Sequence, residues 1–187
     1  EHPNRVKDPN VVIAVLDNGV DIAHPDLVNN IWANPGERPG NGIDDDENGF
    51  VDDIHGWDFL TNSNSVGSNL GGYSHGTACA GLIAAQGDNN LGVTGVTWNC
   101  MIMPVRISSA STHFATTEAI AEAIRYAARS GAHVISNSWS GPDDLPPVHS
   151  AIKEVTQPSD INRNGMGCVV FFASGNRENG GEVAYPA

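Results

Sequence analysis

Four short apolar runs, separated by stretches with helical patterning, constrain this chain more than any other feature. Residues 11–16 read VVIAVL, 100–107 CMIMPVRI, 133–138 HVISNS and 168–173 CVVFFA. The first is unbroken, as expected of a strand buried on both faces. Between the runs, residues 74–86 (SHGTACAGLIAAQ) form a helix of small residues with Ser74 placed to cap it. Residues 116–130 are amphipathic: Ala119, Ile120, Ala123, Ile124, Ala127 and Ala128 share one face, and Gly131 follows as a stop. A third helix spans 145–155 with Leu145, Val148, Ile152 and Val155 inward. Strands alternating with helices predict an α/β fold, a mostly parallel sheet flanked by helices. Such sheets carry their chemistry at the carboxyl ends of the strands, which directs attention to 17–26 and 174–179. The stretch 29–72 is different: long, polar and rich in Gly, Asn and Asp, it is expected to be functional or held by ions.

The length of 187 residues suits one domain, 1–187. The formal charge of −13 disfavours nucleic acid and anionic lipid as partners and attracts cations. No apolar run approaches the roughly 18–20 residues that span a bilayer. The chain opens at Glu1 rather than Met, and is expected to be a processed or excised piece; its first ten residues are polar and do not read as a signal peptide. Three cysteines, Cys79, Cys100 and Cys168, are too few for a disulfide framework; they read as buried thiols, with at most one pair, and leave the redox compartment open.

Asp17 closes the first apolar run, His75 opens the small-residue helix, and Asn176 follows the last run in FFASGN. Each alone has an ordinary explanation as a turn, capping or packing residue. Together, in this order and each at an element boundary, they are much less easily put down to accident. Gly76 beside the histidine is expected to let substrate approach, and Gly175 to allow a tight turn that aims Asn176 into a cleft. The segment NGIDDDENGFVDD (41–53) places Asp44, Asp46 and Asn48 at positions one, three and five of an EF-hand-like loop, with Gly49 at six. Phe50 offers a carbonyl and Asp52 or Asp53 closes the shell. His55 stands where the usual glutamate would be, which excludes a standard EF-hand. A solvated acidic loop is the alternative reading, but carboxylates this crowded repel one another without a cation.

The successive segments DNGVDIAHPDL, HGTACAG, VISNSWSGP and ASGN resemble, in order and spacing, the motifs of the subtilisin-like serine peptidases, from about Val11 to Ala187. The resemblance implies a three-layer fold, left incomplete in this chain, and a triad in the order Asp, His, Ser. It implies that Asp17 orients the imidazole, His75 is general base and then general acid, and Asn176 donates to the oxyanion. It further implies that Ser138, Trp139, Ser140 and Gly141 form the edge that pairs with extended substrate, Trp139 projecting toward apolar side chains, while Ala173, Ser174 and Gly175 line the opposite pocket wall. Ordinary core is the alternative for Trp139. A second calcium site is implied at Asp26 and Asn89, with carbonyls of Gly87, Leu91 and Val93; simple capping of a helix near Leu27 is the alternative for Asp26.

Two departures stand out. Asn18 occupies a position where relatives usually carry Thr or Ser. No serine here lies in the family's Gly-Thr-Ser context, which in relatives follows the Tyr-Pro-Ala region, here Tyr185 to Ala187. A second polypeptide is therefore expected to supply the nucleophile and complete the sheet. The remaining expectations are Ca2+ as cofactor, protein or peptide as substrate, a propeptide as a further partner, and a secreted or periplasmic location, with an intracellular one as the alternative. A calcium-binding pseudo-peptidase acting as a scaffold is the rival function. A nucleotide-binding enzyme is disfavoured, since no GxGxxG or GxxxxGK[ST] loop follows any strand.

Overall fold

In the computed structural model, the structure describes residues 11–67, 74–110, 113–141, 145–159, 165–176 and 185–186. The four apolar runs become β1 (Val12–Asp17), β3 (Met101–Arg106), β6 (Val134–Asn137) and β7 (Val169–Phe172). A short β2 (Trp57–Asp58) joins them in a five-stranded, all-parallel sheet of order β2-β3-β1-β6-β7. β4 (Ser108–Ala110) and β5 (His113–Phe114) form a separate antiparallel pair. Three helices follow the expected stretches: α1 (His75–Ala84), α2 (Thr117–Arg129) and α3 (Pro146–Thr156).

Strand alternation sorts the layers. Ile13 and Val15 of β1 and Ile102 of β3 pack with Ala80 and Ala84 of α1 on one side of the sheet. Val12, Ala14 and Leu16 pack on the other, with buried residues of α2 and α3. The expected three layers are therefore present. In α2 the Thr116 hydroxyl accepts from the Ala119 N–H, and Gly131 ends the helix at φ +93°. The buried face of α2 is wider than its periodicity implies, since Ala121 and Tyr126 are buried too.

The last run becomes a strand, but β7 ends the sheet with Val169 53% and Phe171 60% exposed. Val170 and Phe172 face the α2 and α3 side and are packed there; the opposite side of β7 lies open among the described residues because α1 packs over β1 and β3. The stretch 29–72 reads as a segment that is functional or held by ions. Among its described residues it is also anchored by aromatic packing: Phe50 meets Trp57 at 5.1 Å and Tyr126 of α2 at 4.9 Å, and Phe59 meets Tyr126 at 5.6 Å. A buried Arg106–Asp58 ion pair ties β2 to β3.

Candidate active site and acidic segment

Asp17 is the last residue of β1 and is 6% exposed. The first residue of α1, His75, places its Nδ1 2.9 Å from both Asp17 carboxylate oxygens. The carboxylate accepts from Nδ1, so Nε2 is the ring nitrogen able to take up and return a proton. The histidine side chain is 40% exposed, which gives the ring access from solvent while its partner is sequestered.

The approach of α1 to the end of β1 is enforced locally. A Cβ on Gly76 would lie 2.4 Å from the Gly19 carbonyl oxygen and 2.9 Å from Asp17 Cβ. The absent side chain therefore serves the contact between helix and strand end. Ser74 stands at the N-cap position but makes no side-chain capping bond. Asn18 serves as the cap instead: its Oδ1 accepts from the Gly76 N–H at 2.8 Å, while its own backbone N–H donates to Asp17 Oδ1 at 2.8 Å. The Thr77 hydroxyl accepts from the Asp21 N–H at 2.9 Å, a second latch between the same segments. In the sequence Asn18 stands out only as a departure. Its capping of a helix 58 residues away is a long-range contact, for which no local signal exists.

Asn176 is exposed and follows Gly175, whose φ of +93° turns the chain after β7. β7 lies two strands from β1 in the same parallel sheet, so the turn and Asp17 share one edge at a separation of about 10 Å by strand spacing. Ala173 continues the sheet by donating to the Asn137 carbonyl at 2.9 Å, and Ser174 is exposed. Residues 177–179 of the expected loop lie outside the described residues, as does Pro142.

On the other wall, Ser138 and Gly141 are partly buried and Ser140 is exposed. The Gly141 N–H is taken by the Tyr185 carbonyl at 3.0 Å, which removes that donor from the edge expected to pair with substrate. The expectation for Trp139 is overturned: it is 8% exposed and packs edge-on against Phe172 at 5.1 Å, inside the core and not projecting into an open subsite.

Under the imidazole lies Cys79, half-buried one helical turn on, its Sγ 3.8 Å from His75 Nδ1 and 4.0 Å from Nε2. Burial pushes the Cys79 thiol above its ordinary range; a hydrogen bond with Ser138 opposes this, and the Asp17 charge adds to it. All three cysteines are free.

In the acidic segment, Asp44 accepts from the Asn48 and Gly49 N–H groups at 3.0 and 2.7 Å, and Asn48 Oδ1 accepts from the Phe50 N–H at 2.8 Å. These bonds make the tight turn that the spacing implies. The carboxylates that converge are a different set, however: Glu37, Asp46 and Asp53 bring ligand atoms within 4.8 Å of one another. Nothing in the repeating acidic pattern points to Glu37, which lies outside it. Glu37 is buried and accepts from the N–H groups of Asp45 and Asp52 at 2.8 and 3.1 Å. Asp52, expected with Asp53 to close the shell, accepts from the N–H groups of Gly40, Asn41 and Gly42 and is not one of the three convergent carboxylates.

Asp53 is fully buried. It accepts from Tyr126 Oη at 2.6 Å, Asn34 at 2.7 Å and Asn48 at 3.2 Å. Burial nevertheless holds its carboxyl above the ordinary carboxylate range, with the nearby Asp46 adding to the effect. Among the described residues no salt bridge reaches Glu37, Asp46 or Asp53. A hard, oxygen-seeking cation fits this all-oxygen set.

The Asp26 region is built otherwise. Asp26 is 2% exposed and accepts from Asn89 Nδ2 at 2.7 Å and from the Val93 N–H at 3.0 Å. The Asn89 hydrogen bond, then the Val93 N–H, hold its carboxyl below the usual range. A Cβ on Gly92 would fall 2.3 Å from Asp26 Oδ2, so the loop closes directly on the carboxylate. Asp26 is not a helix cap: the 3-10 turn at Val28–Asn30 has Leu27 before it and no side-chain cap. Gly87 packs against Thr94 and Trp98, and Leu91 is exposed.

A family model described as the subtilase family matches residues 8–187. Subtilisin-like protease 1 of Plasmodium falciparum (isolate 3D7) is 47% identical over 92 residues, covering 49% of this chain and 13% of that protein. The major intracellular serine protease of Bacillus subtilis (strain 168) is 32% identical over 186 residues, covering 97% of this chain and 49% of that one. A calcium-dependent protease of Trichormus variabilis is 38% identical over 131 residues, 60% of this chain and 19% of the relative. Among solved structures, sphericase matches with a TM-score of 0.67 and 25% identity, over 95% of this chain and 50% of its own. The chain thus spans half or less of the length of each of these proteins.

Proposed function

The chain belongs to the subtilase family, and from that membership we propose that it carries the acid–base part of a serine endopeptidase whose nucleophile lies outside these 187 residues. The observation that carries the reading is the pair formed by Asp17 and His75, with Nδ1 2.9 Å from both carboxylate oxygens. Asp17 orients the ring and stabilises its charged form. His75 takes the proton of the serine hydroxyl through Nε2 and later returns it to the leaving amine. Asn176 donates to the developing oxyanion. Extended protein or peptide substrate lies between Ser138–Ser140 and Ala173–Gly175, held largely by backbone hydrogen bonds.

The serine is contributed by a Gly-Thr-Ser segment on a second polypeptide or a further stretch of the same protein, which also adds to the sheet beyond β7. A propeptide is a further partner in this reading. Calcium is the proposed cofactor. Glu37, Asp46 and Asp53 would hold it, with Asp44, Asn48 and Phe50 shaping the turn around them; bound there it supplies the positive charge that these carboxylates lack. The Trichormus relative's name supports a calcium role. Asp26 and Asn89 form a weaker second candidate, because N–H donors already satisfy the carboxylate. Calcium use suits a secreted or periplasmic setting, although the Bacillus subtilis relative is named as intracellular. No helix among the described residues is long and apolar enough to cross a membrane.

The test is mass determination of whatever accompanies this chain in the native protein, combined with labelling by a serine-directed fluorophosphonate. A labelled serine in a Gly-Thr-Ser context supports the proposal. Peptidase activity in the isolated 187 residues, with no other polypeptide present, would overturn it, since Asp17 and His75 alone have no hydroxyl to activate.

A further inference from the structure

We propose that Asn137 is a positioning residue for the oxyanion donor: it joins the two walls of the cleft at their root and fixes the turn that carries Asn176. This role rests on the function proposed above, in which Asn176 donates to the oxyanion.

On local grounds an asparagine is a poor choice here. Asn137 ends β6, a strand with neighbours on both sides, and is 2% exposed. In register it pairs with Leu16 of β1 and Phe172 of β7, which sets its side chain on the side of the sheet that α2 and α3 cover. Strand interiors are depleted in Asn, and a buried amide is costly unless its hydrogen bonds are made. At Asn137 they are made only in part. Nδ2 donates to the Phe171 carbonyl at 3.0 Å and to the Ile135 carbonyl at 3.5 Å, whereas Oδ1 is buried with no hydrogen-bond partner among the described residues. The Phe171 carbonyl fixes the orientation of the amide, since only its NH2 end can face an acceptor. A leucine of similar shape would fill the position without an unsatisfied acceptor. A residue that conflicts with its local surroundings at the carboxyl edge of the sheet marks a functional requirement.

The bonds that Asn137 does make show what is required. Its side chain holds the Phe171 carbonyl, and its own backbone carbonyl accepts from the Ala173 N–H at 2.9 Å, so it grips β7 on either side of Phe172. From Ala173 the chain runs through Ser174 and Gly175, turning at φ +93°, to Asn176. In the other direction Asn137 leads directly into Ser138–Ser140, the opposite wall. One residue is thus the start of the first wall and the clamp on the second. The pairing of β6 with β7 ends at Asn137 and Phe172, so the side-chain bond falls where the two walls begin to diverge.

An oxyanion donor is effective only when held at hydrogen-bond distance from the point where charge develops. A small displacement of its turn weakens that bond in the transition state more than it weakens binding of the ground state. Loss of the Asn137 amide should therefore lower kcat more than it changes KM. Asn137 acts through Asn176 and touches neither substrate nor the reacting atoms, which makes it a positioning residue.

The experiment is a double-mutant cycle in the native protein, nucleophile included, with Asn137→Leu and Asn176→Ala. Asn137→Leu keeps the volume while removing both the donor and the unsatisfied acceptor, so Tm should be unchanged or raised. Its kcat should fall about tenfold, with KM changed by less than about twofold. Asn176→Ala alone should lower kcat by about 10²-fold or more. Adding Asn137→Leu to it should then cost less than about a further twofold, because the residue being positioned is gone. An equal loss in both backgrounds, the mark of a purely structural effect, would overturn the proposal, as would an unchanged kcat in Asn137→Leu. Should Asn137→Leu melt too low to assay, the smaller Asn137→Val completes the same cycle. Full kcat in Asn176→Ala would overturn the oxyanion role itself, and the positioning role with it.

Discussion

Asp17 and Asp53 are both buried, 6% and 0% exposed, yet their surroundings differ in kind. At the carboxyl edge of the sheet, Asp17 faces an imidazole that can itself become positive, and a backbone N–H supports the carboxylate. In the acidic segment, Asp53 faces two further carboxylates and hydrogen-bond donors that are all neutral. The first site contains a group able to supply the counter-charge and is joined by hydrogen bonds without any ligand. The second has its anions gathered and oriented, and in the proposed reading a calcium ion from solution supplies its positive charge. Catalytic geometry and calcium dependence should therefore be separable.

The strongest separation is expected from His75→Ala. It should lower peptide hydrolysis by the native protein by about 10⁴-fold or more while leaving the calcium dependence of the melting temperature unchanged. Loss of that calcium dependence along with activity would break the distinction. Next in size is chelation. An ion present at about 100 times its Kd stabilises by about 2.7 kcal/mol, which for a domain of this length is a shift of about 5–10 °C in Tm. Excess chelator should lower Tm by that amount, and an unchanged Tm would remove the calcium argument.

Asp53→Asn sharpens the comparison through its sign. With chelator, removing a buried charge that lacks a counter-ion should be neutral or stabilising; with calcium it should destabilise by about 2 kcal/mol. The pH dependence follows the same logic. The folded-state carboxyl of Asp53 lies above the ordinary value of 3.8. Its contribution without calcium is therefore fully present below that value, and is lost as pH rises through the higher folded value. Asp26 has the opposite sign: its contribution is present above its ordinary value and is lost as pH falls through its depressed one. Melting curves in chelator from about pH 3 to about pH 7, for Asp53→Asn and Asp26→Asn, check both signs. The smallest effect is expected from Asn18→Ala. Loss of the bond to the Gly76 N–H should cost about 1 kcal/mol of stability. It should also lower kcat more than it raises KM, because His75 is held less firmly.

The legible parts of this molecule are those governed by local pattern. The apolar runs became strands within a residue or two, the face of Ile120 and Ile124 became the inner face of α2, and the small residues of α1 allowed it to lie close over β1. Asp17 and His75 could be singled out because each sits at an element boundary and the motif resemblance joins them. What stayed illegible depends on distant packing. Whether β7 is covered is decided by what lies over it, and α1 lies over other strands. Trp139 reads as a substrate-facing ring until Phe172, far along the chain, is seen to enclose it. Glu37 enters the acidic centre through a fold of the chain that no spacing within 41–53 describes. Asn18 looks like a loss relative to Thr or Ser, and its function emerges only when its amide meets α1.

In the proposed mechanism, Asp17 and His75 together activate a serine that these 187 residues do not contain. The most direct test exposes the native protein to a serine-directed fluorophosphonate and compares it with Asp17→Asn and His75→Ala. Rapid labelling of one serine in a Gly-Thr-Ser sequence is expected in the native protein, and labelling slowed by about 10³-fold or more in each variant. Labelling at the native rate in His75→Ala would contradict the mechanism.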